Sequence, residues 1–135
     1  MAGDGGTGSL RITELSAAGT ADGSARFLAD GEDGRMRLGS RRADGSWTGR
    51  AVIAGVGAPD FRGPALAIAA LPGGESRIAA IGLDGNVRHT VRGRGGDWTP
   101  FRPVPGPKGS GSFAGDQVAI AGLPDGSARL LVTTR

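Results

Sequence analysis

The chain repeats a pattern of strand-like runs and glycine-rich turns with a period of 51 to 52 residues. Trp47 and Trp98 occupy the same point of the pattern and lie 51 residues apart. The turn motif Asp22-Gly-Ser-Ala-Arg returns as Asp125-Gly-Ser-Ala-Arg, which opens a third copy. A repeat of this length indicates supersecondary units that bury their apolar surfaces only against neighbouring units.

Four strand-like runs follow one another in the second repeat, and turn residues separate them. Pro72-Gly73-Gly74 ends the first run and Asp84-Gly85 ends the second, and glycine supplies the positive φ that tight turns need. Asp-Gly between two strand-like runs is a strong hairpin signal. The sequence therefore predicts four-stranded antiparallel meanders. The predicted runs are 65–71, 76–83, 86–92 and 98–104 in the second repeat, and 15–20, 25–31, 35–41 and 47–53 in the first.

Apolar and proline residues indicate how the strands are ordered in each predicted sheet. The first run of the second repeat is apolar at every position, which suits burial on both faces. The fourth run contains Pro100 and Pro103, and proline is confined to sheet edges because it has no N–H to donate. A small buried inner strand with a proline-bearing outer strand describes a blade of a β-propeller. An open antiparallel sandwich is the alternative, which the repeat disfavours.

We therefore expect an all-β chain built of propeller blades. It should hold two complete blades at about 12–53 and 64–104, half of a third at about 117–134, and a flexible tail at 1–9. Propellers close with about four to eight blades. On this expectation the chain is either a fragment of a longer propeller or a subunit that closes by assembling with other chains.

Charge and composition argue against several classes of partner. The net charge of +3 comes without the dense basic patch and interleaved aromatic residues of nucleic-acid-binding proteins, so we expect no nucleic acid partner. No window has the length of a transmembrane helix, and the N-terminus lacks the basic and apolar regions of a signal peptide. We therefore expect no membrane partner. The chain contains no cysteine and so has no disulfide framework.

The residues predict neither catalysis nor a metal or other cofactor. His89 is the only histidine, and the equivalent position of the first repeat is Leu38, so we interpret His89 as a partly buried structural side chain. With one His and no Cys, the usual zinc ligand sets and catalytic triads are not available. The Asp-Gly motifs are interpreted as turns rather than calcium loops, because each carboxylate can accept hydrogen bonds from its own turn.

Two arginines and two tryptophans are the candidate binding residues. Four arginines, Arg37, Arg41, Arg88 and Arg92, occupy matching outward positions on the third strands, and of these Arg37 and Arg88 are the candidates. Trp47 and Trp98 occupy matching positions at the start of the fourth strands. A guanidinium beside an indole can line a polar pocket, since arginine donates to hydroxyls or carboxylates and indole offers a stacking face. The alternative, which the residues themselves favour, is that the arginines pair with turn carboxylates and the tryptophans anchor the blades.

The repeated Asp-Gly-Ser turn, Asp-Gly-x-Val/Leu strand and Gly-x-Trp-Thr segment resembles the repeats of bacterial β-propeller lectins. That family includes fucose-binding lectins and, more distantly, tectonin-like repeats. The segment Asp84-Gly-Asn-Val-Arg-His-Thr-Val-Arg is also similar to propeller repeats of actinobacterial type. The resemblance covers residues 10–135. It implies that monosaccharides bind in clefts between adjacent blades, without catalysis and without an obligate metal.

A lectin-like, carbohydrate-binding module is therefore the function expected from the sequence, with glycans as partners. The alternative is a structural fragment without a small-molecule ligand. Such a fragment would self-assemble into homo-oligomers through open strand edges, because an unpaired edge presents free backbone donors and acceptors.

Overall fold

A computed structural model describes residues 11–49, 51–53, 65–106, 109 and 111–134. Ten β-strands lie within these residues, and all of their pairings are antiparallel. The all-β class predicted from the sequence is confirmed. The predicted tail at 1–9 lies outside the described residues. None of the described segments is a helix long and apolar enough to cross a membrane.

The strands form two four-stranded sheets and one two-stranded sheet, and neighbours in sequence are neighbours in each sheet. The first sheet contains β1 (Ile12–Gly19), β2 (Ala25–Gly31), β3 (Met36–Arg41) and β4 (Ala51–Val52). The second sheet contains β5 (Ala65–Ala70), β6 (Ser76–Ile81), β7 (Val87–Arg92) and β8 (Arg102–Pro103). The third sheet contains β9 (Gln117–Gly122) and β10 (Ala128–Thr133).

Tight turns between the strands are built by the repeated Asp-Gly-Ser motif. In the turn after β1, the Asp22 carboxylate accepts hydrogen bonds from the backbone N–H of Ser24 (2.9 Å) and from its hydroxyl (2.6 Å). Gly23 has a φ of +83°, which glycine adopts more readily than any residue with a side chain. The same hydrogen bonds recur at Asp44 and Asp125. These aspartates therefore fix their own turns.

The three sheets stack face to face, with the second sheet in the middle. Leu28 and Leu38 lie opposite each other in β2 and β3, so their side chains share the face that packs on the second sheet. That core includes Ile68 and Ile78, and both Leu28 and Ile78 are fully buried. β5 lies between β1 on one side and β9 on the other. The described residues form this stack and no closed ring, so the propeller stays a prediction.

β4 and β8 lie at sheet edges and are shorter than predicted. Each is two residues long, where the sequence predicts runs of seven. In the second repeat, the start of the predicted run makes only an isolated bridge between Trp98 and Arg92 and a hydrogen bond from the Thr99 N–H to the Val91 carbonyl (2.9 Å). Pro100 follows directly and interrupts the ladder, because it has no N–H to donate.

Candidate functional site

A cleft of about 340 Å³ opens between the first and second sheets, close to the C-terminal ends of β3 and β7. The first sheet contributes Leu38, Ser40 and Thr48 to its walls, and the second contributes Arg92 and Trp98. The cleft thus combines an indole, a guanidinium, two hydroxyl-bearing side chains and an aliphatic side chain.

The strand register brings Arg92 and Trp98 together. The turn at 93–97 reverses the chain, so that Trp98 forms an antiparallel bridge with Arg92. Two residues opposite each other in an antiparallel pair have their side chains on the same face of the sheet. That face is turned toward the first sheet, where Trp98 packs against the apolar core.

Gly96 makes room for the Arg92 guanidinium. Gly96 has a φ of +93°, and a Cβ at this position would lie 3.2 Å from Nη2 of Arg92. Arg41 and Gly45 are related in the same way in the first repeat, at 3.3 Å. The glycine of this turn therefore serves two needs, the left-handed backbone and the arginine that folds over it.

The electrostatic character of the cleft is positive. Arg26 lies opposite Ser40 in the neighbouring strand, and it donates to the carbonyl of Gly74 (2.9 Å) and to the hydroxyl of Ser76. Burial lowers the pKa of Arg26, and the charge of Arg92 lowers it further. No carboxylate is among the described side chains that line the cleft. Arg92 therefore faces the cleft beside a second cation and without an acidic partner in its walls.

Arg37 and Arg88, two of the predicted site residues, lie outside the cleft and are held by turn carboxylates. Arg88 donates through both Nη atoms to Asp84, at 2.9 and 2.5 Å. Arg37 donates to Asp33 in the same way, at 2.9 and 2.6 Å. The hydrogen bonds from Arg37 lower the pKa of Asp33 to about 2. Both arginines thus have the turn-pairing role that the sequence favours as their alternative.

The two predicted tryptophans have different surroundings. Trp98 lines the cleft, whereas Trp47 lies on the opposite face of the first sheet, which no described sheet covers. The ring of Trp47 is centred 5.2 Å from that of Phe27, and the guanidinium carbon of Arg41 is 5.9 Å from its centroid. The structure therefore pairs Trp98 with a different arginine from the one predicted.

Sequence reasoning missed Ser40 and Thr48 as cleft residues, and it noted Arg92 among the outward arginines without choosing it as a binding residue. A signal for Arg92 exists, because it precedes Trp98 by six residues across a glycine turn, as Arg41 precedes Trp47. This spacing places an arginine opposite a tryptophan when the turn closes. Ser40 and Thr48 carry no comparable signal, since they reach the cleft only through the stacking of two sheets.

His89 belongs to a different space, on the face of the second sheet that is turned toward β9 and β10. Burial lowers the pKa of His89, and the charges of Arg77 and Arg102 lower it further. Among the residues that the structure describes, no group of three or more His, Cys, Asp or Glu side chains is arranged to hold a metal ion.

No protein-family model matches the chain, and no curated protein matches it significantly. Its function is therefore inferred from the geometry of the cleft and from the repeat.

Proposed function

We propose that the chain is a non-catalytic carbohydrate-binding module of the propeller-lectin type, which binds a sugar between its first and second sheets. The main support is the indole of Trp98 beside the guanidinium of Arg92 in a cleft of about 340 Å³. Binding sites for small molecules are commonly concave, largely apolar and supplied with a few well-placed polar groups.

Each wall of the cleft has a part in sugar recognition. The half-buried indole of Trp98 offers an apolar face to the C–H groups of a pyranose ring. Arg92 donates forked hydrogen bonds to hydroxyls or to a carboxylate. The hydroxyl of Ser40 supplies one donor and two acceptor positions. Stacking and hydrogen bonding suffice for this role, and no group has to transfer a proton.

Acidic sugars are the ligand class that the charges favour. Arg92 and Arg26 carry like charges near a cleft whose described lining has no carboxylate, so a bound carboxylate is favoured there. A hexuronate such as glucuronate supplies both the ring and the carboxylate, whereas glucose supplies only the ring. We expect glucuronate to bind more tightly than glucose, and the difference to shrink at high salt.

The repeat supports placing the sheets in a propeller. Between the first and second sheets, Leu28 packs in the same core as Ile68. One repeat later, Ala79 corresponds to Leu28 and Ile120 to Ile68, and these two residues line one cavity between the second and third sheets. Equivalent positions of the repeat therefore lie at both interfaces. Continued stacking of such sheets around an axis would close a ring of blades.

Calorimetric titration with glucuronate tests the cleft. Trp98→Ala and Arg92→Gln should each weaken binding by about tenfold or more, since each removes a principal contact. The matched controls are Trp47→Ala and Arg41→Gln, which remove the counterparts of these residues outside the cleft. Both controls should bind as the parent chain does.

Circular dichroism establishes that each variant is folded. Because Trp98 also packs on the core, Arg92→Gln decides the matter if Trp98→Ala does not fold. If folded Arg92→Gln binds glucuronate as tightly as the parent chain, the sugar does not bind in this cleft. The same conclusion follows if the control variants lose as much affinity as the cleft variants. Absence of binding to both glucuronate and glucose would contradict the carbohydrate function itself.

A second candidate function, assembly with further copies of the chain, is favoured by exposed leucines on the outer faces of the stack. Leu15 of β1 is 58% exposed, whereas its counterpart in the second sheet, Leu66, is 7% exposed. Leu131 of β10 is 68% exposed, whereas its counterpart Ala79 is fully buried. The outer face of the first sheet thus corresponds to the face of the second sheet that packs on the first. The outer face of the third sheet corresponds to the face of the second sheet that packs on the third. The third sheet of one copy therefore fits the first sheet of the next, through faces rather than through the strand edges predicted from the sequence.

A further inference from the structure

A second cavity, of about 180 Å³, lies between the second sheet and the β9–β10 pair. It is on the face of the second sheet opposite to the sugar cleft. Its walls are mostly apolar, with Val104 on one side and Ile120 and Leu130 on the other. Two basic side chains, Arg77 and His89, also line it. The cavity thus combines one permanent cation, Arg77, and one titratable base, His89, with an aliphatic surround.

One nitrogen of the Arg77 guanidinium, Nε, is buried without a hydrogen-bond partner among the described residues. The counterpart in the first repeat, Arg26, donates instead to the carbonyls of Gly74 and Glu75 and to the hydroxyl of Ser76. The arginine at this position of the repeat therefore has several hydrogen-bond acceptors at the first interface, whereas at the second its buried Nε has none in the part of the chain that the structure describes.

One change in the repeat contributes to the difference. Ala128 occupies the position of Ser76, 52 residues later, so the third sheet offers Arg77 no hydroxyl there. A buried donor without an acceptor is unfavourable, because it has lost its hydrogen bonds to water. Arg77 lines the cavity, so an acceptor that enters it lies beside this guanidinium.

His89 makes the charge of the cavity depend on pH, because its imidazole becomes a cation only when it is protonated. Burial lowers the pKa of His89, and the positive charges of Arg77 on β6 and Arg102 on β8 lower it further. The described residues of the third sheet that line the cavity, Ile120, Ala128 and Leu130, are apolar. No Asp or Glu is among the lining residues, so a ligand can supply the missing negative charge.

We propose that this cavity binds a small carboxylate with a short apolar tail. The carboxylate accepts hydrogen bonds from Arg77, whose planar guanidinium matches the two oxygens, while the tail contacts the aliphatic walls. A volume of about 180 Å³ is below the range of about 300–1,000 Å³ that is typical of drug-sized ligands, which limits the tail to a few carbon atoms.

The single histidine of the chain reports directly on this cavity. NMR spectra of the untagged chain follow the His89 ring signals during titration with butyrate, with butyramide as the uncharged control. Butyrate should shift these signals and raise the pKa of His89, because a bound carboxylate stabilises the imidazolium. Butyrate should therefore bind more tightly as the pH falls from about 7 to about 5.5, where its carboxylate is still largely ionised. Butyramide should have little effect.

Variants assign the binding to Arg77. Arg77→Met should weaken butyrate binding by about tenfold or more, since it removes a charge-assisted pair of hydrogen bonds. Arg129→Met is the matched control, because Arg129 is the exposed counterpart in the third repeat and should leave binding unchanged. Ala128→Ser restores the hydroxyl of the first interface and should weaken binding several-fold by engaging Arg77. Arg92→Met, in the sugar cleft, should leave the His89 shifts unchanged, which separates this site from the proposed sugar site.

Three outcomes would overturn the carboxylate site. One is an absence of His89 shifts at butyrate concentrations up to about 50 mM, which excludes even weak binding. Another is an equal effect of butyramide, which indicates an apolar cavity without anion recognition. The third is unchanged butyrate affinity in folded Arg77→Met. If Arg77→Met does not fold, unchanged affinity in Ala128→Ser has the same consequence.

Discussion

At the scale of single residues, the pairing of Asp33 with Arg37 makes part of the stability depend on acid pH. The hydrogen bonds from Arg37 lower the pKa of Asp33 from 3.8 to about 2 in the folded chain. Because the folded pKa lies below the unfolded one, the stabilisation is complete above about pH 4 and is lost as the pH falls toward about 2. We expect Asp33→Asn to lower the free energy of unfolding modestly at neutral pH and to flatten its decline between these two values.

Urea unfolding at a series of pH values measures both effects. Asp97→Asn is the control, because Asp97 is an exposed turn residue whose side chain forms no ion pair within the described part of the chain. It removes an exposed carboxylate without removing an ion pair. Since the Asp33 pair is exposed, its contribution should also weaken at high salt. An acid dependence of Asp33→Asn identical to that of the parent chain would show that the pair does not persist in solution.

Single residues also show where sequence reasoning ends. The aspartate turns and the Asp33–Arg37 pair follow from the sequence because all their donors and acceptors lie within a few positions of one another. Trp98 is marked by its place in the repeat, but its pairing with Arg92 depends on how the intervening turn closes. Ser40 joins them only because two sheets stack, and a single sequence carries no direct record of that packing.

At the scale of strands, Gly122 determines how closely β9 approaches β5. A Cβ at Gly122 would lie 2.6 Å from the carbonyl oxygen of Ala70, whereas a Cβ at Gly19, the equivalent end of β1, would meet nothing within 4 Å. Backbone atoms cannot move aside as a flexible side chain can. We therefore expect Gly122→Ala to lower the free energy of unfolding by about 1–3 kcal/mol, and Gly19→Ala to change it little.

Urea unfolding of the two variants provides the comparison. Neither glycine has the left-handed backbone that would strain an alanine, so the two substitutions differ mainly in the space around the new methyl group. Equal stabilities would mean that β9 shifts away from β5 at little cost. The contact between the second and third sheets would then be loose, and the cavity beside it would be adjustable.

The strands were predictable to the extent that their signals are local. β2 spans Ala25–Gly31, the run that the sequence predicts, because Asp-Gly turns flank it at both ends. β1 begins at Ile12 rather than Leu15, and β8 is limited to Arg102–Pro103. The extent of an outer strand depends on which N–H groups its partner can reach, and that depends on the register between strands rather than on composition.

At the scale of the whole molecule, the repeat predicts that similar units pack on one another, and the three stacked sheets have this relation. The number of units in a ring depends on the rotation between successive sheets. That rotation is set by many side chains at once, among them Leu28 and Ile78 at the first interface. The rotation between sheets cannot be derived from the repeat period or the composition. The sequence therefore predicts the all-β class but not the number of units that would close a ring.

The exposed leucines on the outer faces of the stack predict self-association, and Leu131 provides its sharpest test. Light scattering behind a sizing column should give a mass above 13.5 kDa that rises with concentration, and Leu131→Glu should return it toward that value. Leu83→Glu is the control, because Leu83 lies in the turn between β6 and β7, away from the outer faces. A mass of 13.5 kDa at every concentration, or an equal response of the two variants, would contradict assembly through the outer faces. Because Leu131 and Leu83 are 68% and 60% exposed, a difference between the variants reports the place of the leucine in the stack rather than its hydrophobicity.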